Sequence, residues 1–469
     1  MIPTSPTDTI RSPGRNSAGS LPPSDLPSNP TRGFEPMMRT IFDRSVAGAR
    51  RAASLPAVLL LIAGAAGCSN ILDVELPGRI PSKLLNDPTT APTLAASVAA
   101  DFECAFSNYV NSTSTLGDQF LGASGNLNAK NWGTRKINDD DTANEQTGCS
   151  GSYGAYTPLQ TARFQADDIL ARLLSWTDDQ AKVPLAPLRA RVAALGGYAY
   201  LLLGEGFCAM RFNEEAGIHT PQEVLAMAEA KFTAALPLVD ALVAGAGKSE
   251  LANLVRVGRA RVRLDLGNGA GAASDAALVD PGFQFFATRS VDAATRYNDA
   301  WYAMAELGNS SVDPAYRSLK VGAVPDPRVQ VAAGPDVGLP KLSFDGVTDL
   351  YVVTNKNFSR ADPMRVASYV EARLIQAEAV GGATAVGIIN ARRTQLSLPQ
   401  YTGATDAASV KALILDERNR EFFMEGGQRY NDLLRFHIPW KVGNDQNGIP
   451  YGNTTCMPLP RSERIAAGG

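Results

Sequence analysis

Between Thr157 and Leu266 apolar residues return every three or four positions, and this periodicity constrains the chain more than any other feature. In the stretch 187–204 it sets Val192, Leu195, Ala199, Leu202 and Leu203 on one stripe, the pattern of a helix that buries one face. The spacing predicts helices over 157–175, 187–204, 221–236 and 249–266, the last ended by Gly267 and the Gly-rich GNGAG stretch. Gly196 and Gly258 fall on the packing faces, where a missing side chain lets neighbouring helices approach. With 45% hydrophobic and 19% charged residues, the chain has the apolar surface for a sizeable core.

The Ala/Gly pattern of these pairs resembles tetratricopeptide-type helical hairpins, without a clean 34-residue repeat. From about 282 to 362 the character changes to Gly, Pro, Asp, Asn and aromatics, with short β-prone runs such as DLYVVT at 349–354. Helical order is expected to return at Asp362-Pro363, with Val366, Tyr369, Val370, Leu374 and Ala377 on one face, and a final helix is expected over 407–425, stopped by Gly426-Gly427. The fold class is therefore mostly α: tetratricopeptide-like helical hairpins with a loop-rich, aromatic-containing insertion.

Residues 1–36, filled with Ser, Pro, Thr and Asn, read as disordered or as a mis-assigned start. Met37 or Met38 is a natural initiator, because Arg39, Arg44, Arg50 and Arg51 then precede the apolar run 55–66, as in a secretory signal over 37–67. That run is about a dozen residues, against the roughly 20 that a bilayer-spanning helix needs. A-A-G-C at 65–68 resembles the bacterial lipobox, which implies cleavage before Cys68, acylation of that residue by chains such as palmitate, and a membrane tether for the body 68–469. Ser69 stands where an inner-membrane retention signal has Asp, which favours the outer membrane.

With Cys68 used for lipid, Cys104, Cys149, Cys208 and Cys456 remain, an even number in an exported, oxidising setting. Four cysteines allow three connectivities; chain proximity favours Cys104 with Cys149, leaving Cys208 for Cys456. There is no C-x-x-C, and only His219 and His437 are present, so a three-His zinc site is excluded and a Ser-His-Asp hydrolase disfavoured. No metal or cofactor is implied. The net charge of -3 gives no electrostatic case for nucleic acid.

The segment 416–436 (DERNREFFMEGGQRYNDLLRF) spaces Glu417, Glu421 and Glu425 one turn apart among Arg418, Arg420, Arg429 and Arg435. A catalytic carboxylate needs a raised pKa, whereas these have cations on every side; a structural ion-pair network is the expectation.

The lipobox, DPMRVASYVEARLIQAEA (362–379), IINARR (388–393), this segment and MPLPRSE near the end resemble, in order, the SusD/RagB family. The resemblance implies a helical outer-membrane lipoprotein, not an enzyme, that captures glycans or other nutrients and delivers them to a SusC-like TonB-dependent transporter. Glycan capture calls for loop aromatics flanked by short polar side chains. Asp118, Gln119, Asn131, Trp132 and Tyr153 meet that requirement in the N-terminal half, and Trp301, Tyr351, Phe358 and Arg360 in the insertion, with Trp132 expected as an exposed platform; Trp176 and Trp440 read as packing residues at helix ends. The rival readings are an envelope scaffold that binds protein or peptide in a concave groove and, less favoured, a glycan hydrolase using acids such as Asp139, Asp140 and Asp141.

Overall fold

Among the described residues, five helices of 20 residues or more carry the core: α1 (Ala91–Leu116), then α2 (Leu127–Gly133) as a short link, α3 (Tyr156–Ser175), α4 (Ala186–Gly206), α5 (Pro221–Asp240) and α6 (Ala246–Asp265). The computed structural model describes residues 82–145, 148–149, 153–213 and 217–467. The predicted start, signal segment and Cys68 lie outside these residues. No helix among the described residues is long and apolar enough to cross a membrane.

Antiparallel pairs α3/α4 and α5/α6 stack in sequence order, as the hairpin pattern predicts. Phe232 of α5 is the wedge that sets their spacing. A Cβ at Gly197 of α4 would stand 2.6 Å from its ring, and one at Gly258 of α6 2.3 Å, so only glycine fits on either side. Tyr198 meets Phe232 edge-on at 5.1 Å and donates its hydroxyl to the Leu254 carbonyl at 3.0 Å. Helix α5 opens with Thr220 and Glu223 in a capping box and Pro221 in its first turn.

The stack continues through α7 (Gly269–Ala276), α8 (Tyr369–Val380), α9 (Gly382–Gln395), α10 (Ala407–Glu421) and α11 (Gln428–Arg435). One helix was not foreseen, and two expectations are corrected here. Helix α6 ends at Asp265, before GNGAG, as expected, but the helix α7 that Asn268 caps inside that stretch was not foreseen. The residues after Pro363 form strand β8 (Met364–Ser368), and the helix begins only at Tyr369, where Ser368 accepts the Glu371 amide. Helix α10 ends at Glu421, four residues before the expected stop, and Met424 and Gly426 turn through positive φ.

Four two-stranded antiparallel pairs lace the insertion: β1 (Phe120–Gly122) with β3 (Ser310–Val312), β2 (Gln284–Ala287) with β8, β4 (Lys320–Val321) with β5 (Val324–Pro325), and β6 (Val331–Ala333) with β7 (Tyr351–Val353). Cys104 is bonded to Cys149, with Cα atoms 5.6 Å apart, and Cys208 to Cys456, at 5.2 Å.

Candidate functional site

The β1/β3 pair draws the N-terminal loop 117–135 against the insertion. Ser311 Oγ, which donates to the Asp349 carbonyl at 2.8 Å and accepts from the Tyr351 amide at 2.9 Å, adds β7 to the same face. The fold thus brings the segment that carries Asp118 and Gln119 against β3 and, through β3, β7 with Tyr351.

Trp132 is corrected outright. It lies on α2, is 1% exposed, and stacks on Tyr153 with ring centroids 6.0 Å apart. Tyr153 is itself buried, and burial pushes its phenol well above the ordinary value. Asn131 is half-buried and its carbonyl accepts the Lys136 amide at 2.8 Å. Gln119 is buried and accepts the Met424 amide at 3.1 Å, so it braces the turn after α10. Asp118 sits at φ 59°, and burial raises its carboxyl against the opposing charges of Lys441, Arg135 and Arg429. Trp301 and Phe358 are half-buried and pack against the core. Trp176 and Trp440 do likewise.

Tyr351 and Arg360 are half-buried too, and Tyr351 packs against the core. The Arg317 guanidinium covers the Tyr351 ring at 3.9 Å. Arg360 is bound to Glu306, with Nε to Oε2 at 2.6 Å, and donates Nη1 to the Tyr297 hydroxyl at 3.1 Å. Its guanidinium lies 4.6 Å from the Tyr297 ring centroid and 5.9 Å from that of Tyr302. The two tyrosines are 5.3 Å apart and tilted by 53°. A single π-helical turn, Tyr302–Glu306, sets Tyr302 and Glu306 on this cluster, a local geometry common at functional sites. Two residues past Glu306, the Gly308 carbonyl accepts the amide of Phe344, which is 66% exposed. The Phe344 turn is pinned by Asp345, which accepts from the Val347 and Thr348 amides at 3.0 and 2.8 Å and from Asn447 at 3.0 Å. Burial pulls the Asp345 carboxyl up, but these bonds outweigh it and hold it below the ordinary value.

Two tyrosine rings, a guanidinium and a carboxylate thus sit together, and the exposed Phe344 stands on the turn that bonds to Gly308, two residues past Glu306. Apolar ring faces stack on the C–H faces of sugars while the charged groups take hydroxyls. The sequence reading found Arg360 and missed Tyr297, Tyr302, Glu306 and Phe344; the run Tyr297-Asn298-Asp299 next to Trp301-Tyr302 carried the signal.

The C-terminal motif forms the expected ion-pair network. Glu417 binds Arg328 at 2.6 Å and Arg393 at 2.8 Å; Glu421 binds Arg392 at 2.7 Å; Glu425 binds Arg365 at 2.8 Å and Lys356 at 2.8 Å. Arg418 pairs with Asp432, Arg420 with Asp416 and Asp326, and Arg435 with Glu378, Asp432 and Asp265. Arg429 departs from the expectation: it has no ion pair among the described residues, and its charge acts instead on Asp118 and Tyr316. Burial alone would raise the Glu421 carboxyl, yet the Arg392 hydrogen bonds and the charges of Arg392, Arg365 and Lys356 hold it below the ordinary value; such a group is a poor proton donor. Asp139 and Asp140 are paired with Arg461 at 3.1 and 2.9 Å. Among the described residues no cluster of His, Cys, Asp and Glu is placed to hold a metal ion.

No protein-family model matches the sequence, and no curated protein matches it. Solved structures do. A laminarin-binding SusD-like protein superposes with a TM-score of 0.57 at 14% identity, over 80% of this chain and 97% of its own. A SusD superfamily protein from Bacteroides vulgatus gives 0.57 at 14%, over 81% and 97%. Surface glycan-binding protein A from Bacteroides thetaiotaomicron gives 0.57 at 14%, again over 81% and 97%.

Proposed function

We propose that this chain, whose fold is SusD-like, is a glycan-binding lipoprotein of the SusD/RagB family, not an enzyme. It captures oligosaccharides on the Tyr297/Tyr302/Phe344 strip and hands them to a SusC-like TonB-dependent transporter, tethered to the outer membrane through acylated Cys68. The observation that carries this reading is the tyrosine pair with the Arg360–Glu306 bridge at its edge. Glycan binding by proteins of the same fold supports it. So does the state of Glu421, whose depressed carboxyl suits a structural role better than acid catalysis.

The test is a polysaccharide panel run by affinity electrophoresis on protein lacking the tether. One or more glycans should retard the wild type without cleavage products. Tyr302→Ala should weaken that retention about tenfold or more, because losing a stacking face costs on the order of 1 to 3 kcal/mol, while leaving the melting temperature nearly unchanged. Cleavage products would move the protein to the hydrolase class, and retention of peptide alone to the scaffold class.

A further inference from the structure

A groove of about 240 Å³ opens where the β2/β8 pair meets the segment 355–363 and the end of α10. Cavities for drug-sized ligands run to roughly 300–1,000 Å³, so this one admits a single ring. Its apolar wall is Phe286, 37% exposed and the cross-strand partner of Arg365. Phe285 points inward and Phe286 outward, as the pleat of β2 alternates, and the register shift falls on β8, where Val366 is left without a cross-strand partner.

Its polar wall is cationic. Arg328 also lines it but is committed to Asp326 and Glu417. That leaves Lys356, Arg365 and Arg392 facing the two carboxylates Glu421 and Glu425, an excess of one positive charge. The donors are not used up. Arg365 spends Nε and Nη2 on Glu425, and its Nη1 has no hydrogen-bond partner among the described residues. Lys356 gives one short bond to Glu425 and one of 3.4 Å to the Glu421 carbonyl. Arg392 spends Nε and Nη2 on Glu421, and its Nη1 reaches only Gln395 at 3.3 Å. Spare cationic donors over a partly exposed ring match a six-membered sugar ring bearing a carboxylate: the anion accepts charge-assisted hydrogen bonds and the C–H face lies on Phe286.

We propose that this groove binds a hexuronate unit of an acidic glycan, with the carboxylate on Arg365, Lys356 and Arg392 and the ring on Phe286. The choice of a sugar ligand rests on the glycan-binding reading, but the groove is a second site, independent of the tyrosine strip.

The experiment is isothermal titration of the intact mature domain with glucuronate, digalacturonate, glucose and inorganic sulfate. The uronates should bind at least tenfold more tightly than glucose, and more weakly as salt is raised. Phe286→Ala and Lys356→Gln should each lower uronate affinity about tenfold, and Tyr302→Ala should leave it unchanged, so failure here and failure of the tyrosine strip are told apart. Glucose binding as well as glucuronate would overturn the proposal. So would sulfate binding as tightly as the uronates without sensitivity to Phe286→Ala, or uronate binding that neither groove variant alters at an unchanged melting temperature.

Discussion

Trp132 is buried because of its neighbours in the chain. Asn126 caps α2 by accepting the Asn128 and Ala129 amides at 2.9 and 3.4 Å, which rotates the indole toward the core. The helix then seats against β1 at a glycine pair. A Cβ at Gly133 would lie 2.5 Å from the Gly122 Cα, and one at Gly122 2.9 Å from the Gly133 Cα. A loop aromatic and an aromatic on a seven-residue helix look alike in N-A-K-N-W-G, since the close approach that decides between them involves residues eleven positions apart. Trp132→Ala should therefore destabilise the fold by about 3 to 5 kcal/mol, as for other buried aromatics cut to alanine, with glycan retention by the remaining folded protein unchanged. Thermal unfolding followed by circular dichroism measures this, and an unaltered melting temperature would return the indole to the surface.

Buried charges from α4, α6 and α11 converge at the end of α6. Asp265 at the end of α6 accepts Asn431 at 3.1 Å and lies 3.3 Å from Arg435. Burial and the neighbouring Glu205 charge push its carboxyl up to about 8, against the pull of Arg435 and Arg261. An unfolded Asp titrates near 3.9, so the native state holds a proton that the unfolded chain has released. The stabilisation from this group is thus fully present below about pH 4 and is lost as pH rises through about 8. Asp265→Asn keeps the shape and removes the titration, so its melting temperature should gain on the wild type between about pH 4 and pH 8; parallel curves would count against the raised Asp265 carboxyl. Legibility in the sequence follows the same lines of contact. Helices α3 and α5 bury one stripe each while α4 is buried nearly all round from Val192, and the ends of α3 to α6 were readable to within about four residues because the apolar period and residues such as Pro187, Thr220 and Gly267 mark them. Helix α1 escaped notice because it is buried all round from Cys104 to Leu116, so no amphipathic contrast survives. Its Ser, Asn and Thr run imitates a loop, yet Thr113 and Thr115 bond back to Tyr109 and Asn111, and Ser107 to Tyr297. Likewise Val366 fits a helical stripe on paper, and only pairing with Gln284–Ala287 makes its segment a strand. The tyrosine strip was half-readable: Arg360 stood out among polar neighbours, but a π turn has no sequence signature.

At the scale of the whole molecule, the C-terminal tail ties the helical stack to the loop face. Met457 pairs with Phe207 at the end of α4, its carbonyl accepting the Cys208 amide at 2.9 Å and its amide donating to Gly206 at 3.0 Å. Upstream, the Gly452 amide reaches Thr134, Gln446 reaches Gly122 and Lys441 reaches Asp313; downstream, Asn144 reaches Pro458 and the Arg461 amide reaches Asp139. The Cys208–Cys456 bond fixes this strap across 248 residues of sequence. A loop that long gives a large entropic restraint on the unfolded chain, but a strap already held by many hydrogen bonds moderates the loss when the bond is removed. Replacing both cysteines with serine should cost about 2 to 4 kcal/mol. The loss should be local first, because the strap has little buried apolar area of its own apart from Met457 and Leu459, whereas α4 is buried from Val192 to Gly206. Hydrogen exchange on the double variant should therefore accelerate over residues 441–460 while α4 and α5 keep their protection. Equal acceleration in strap and core would mean that the bond serves the global fold, and that the strap does not open separately from the helices it crosses.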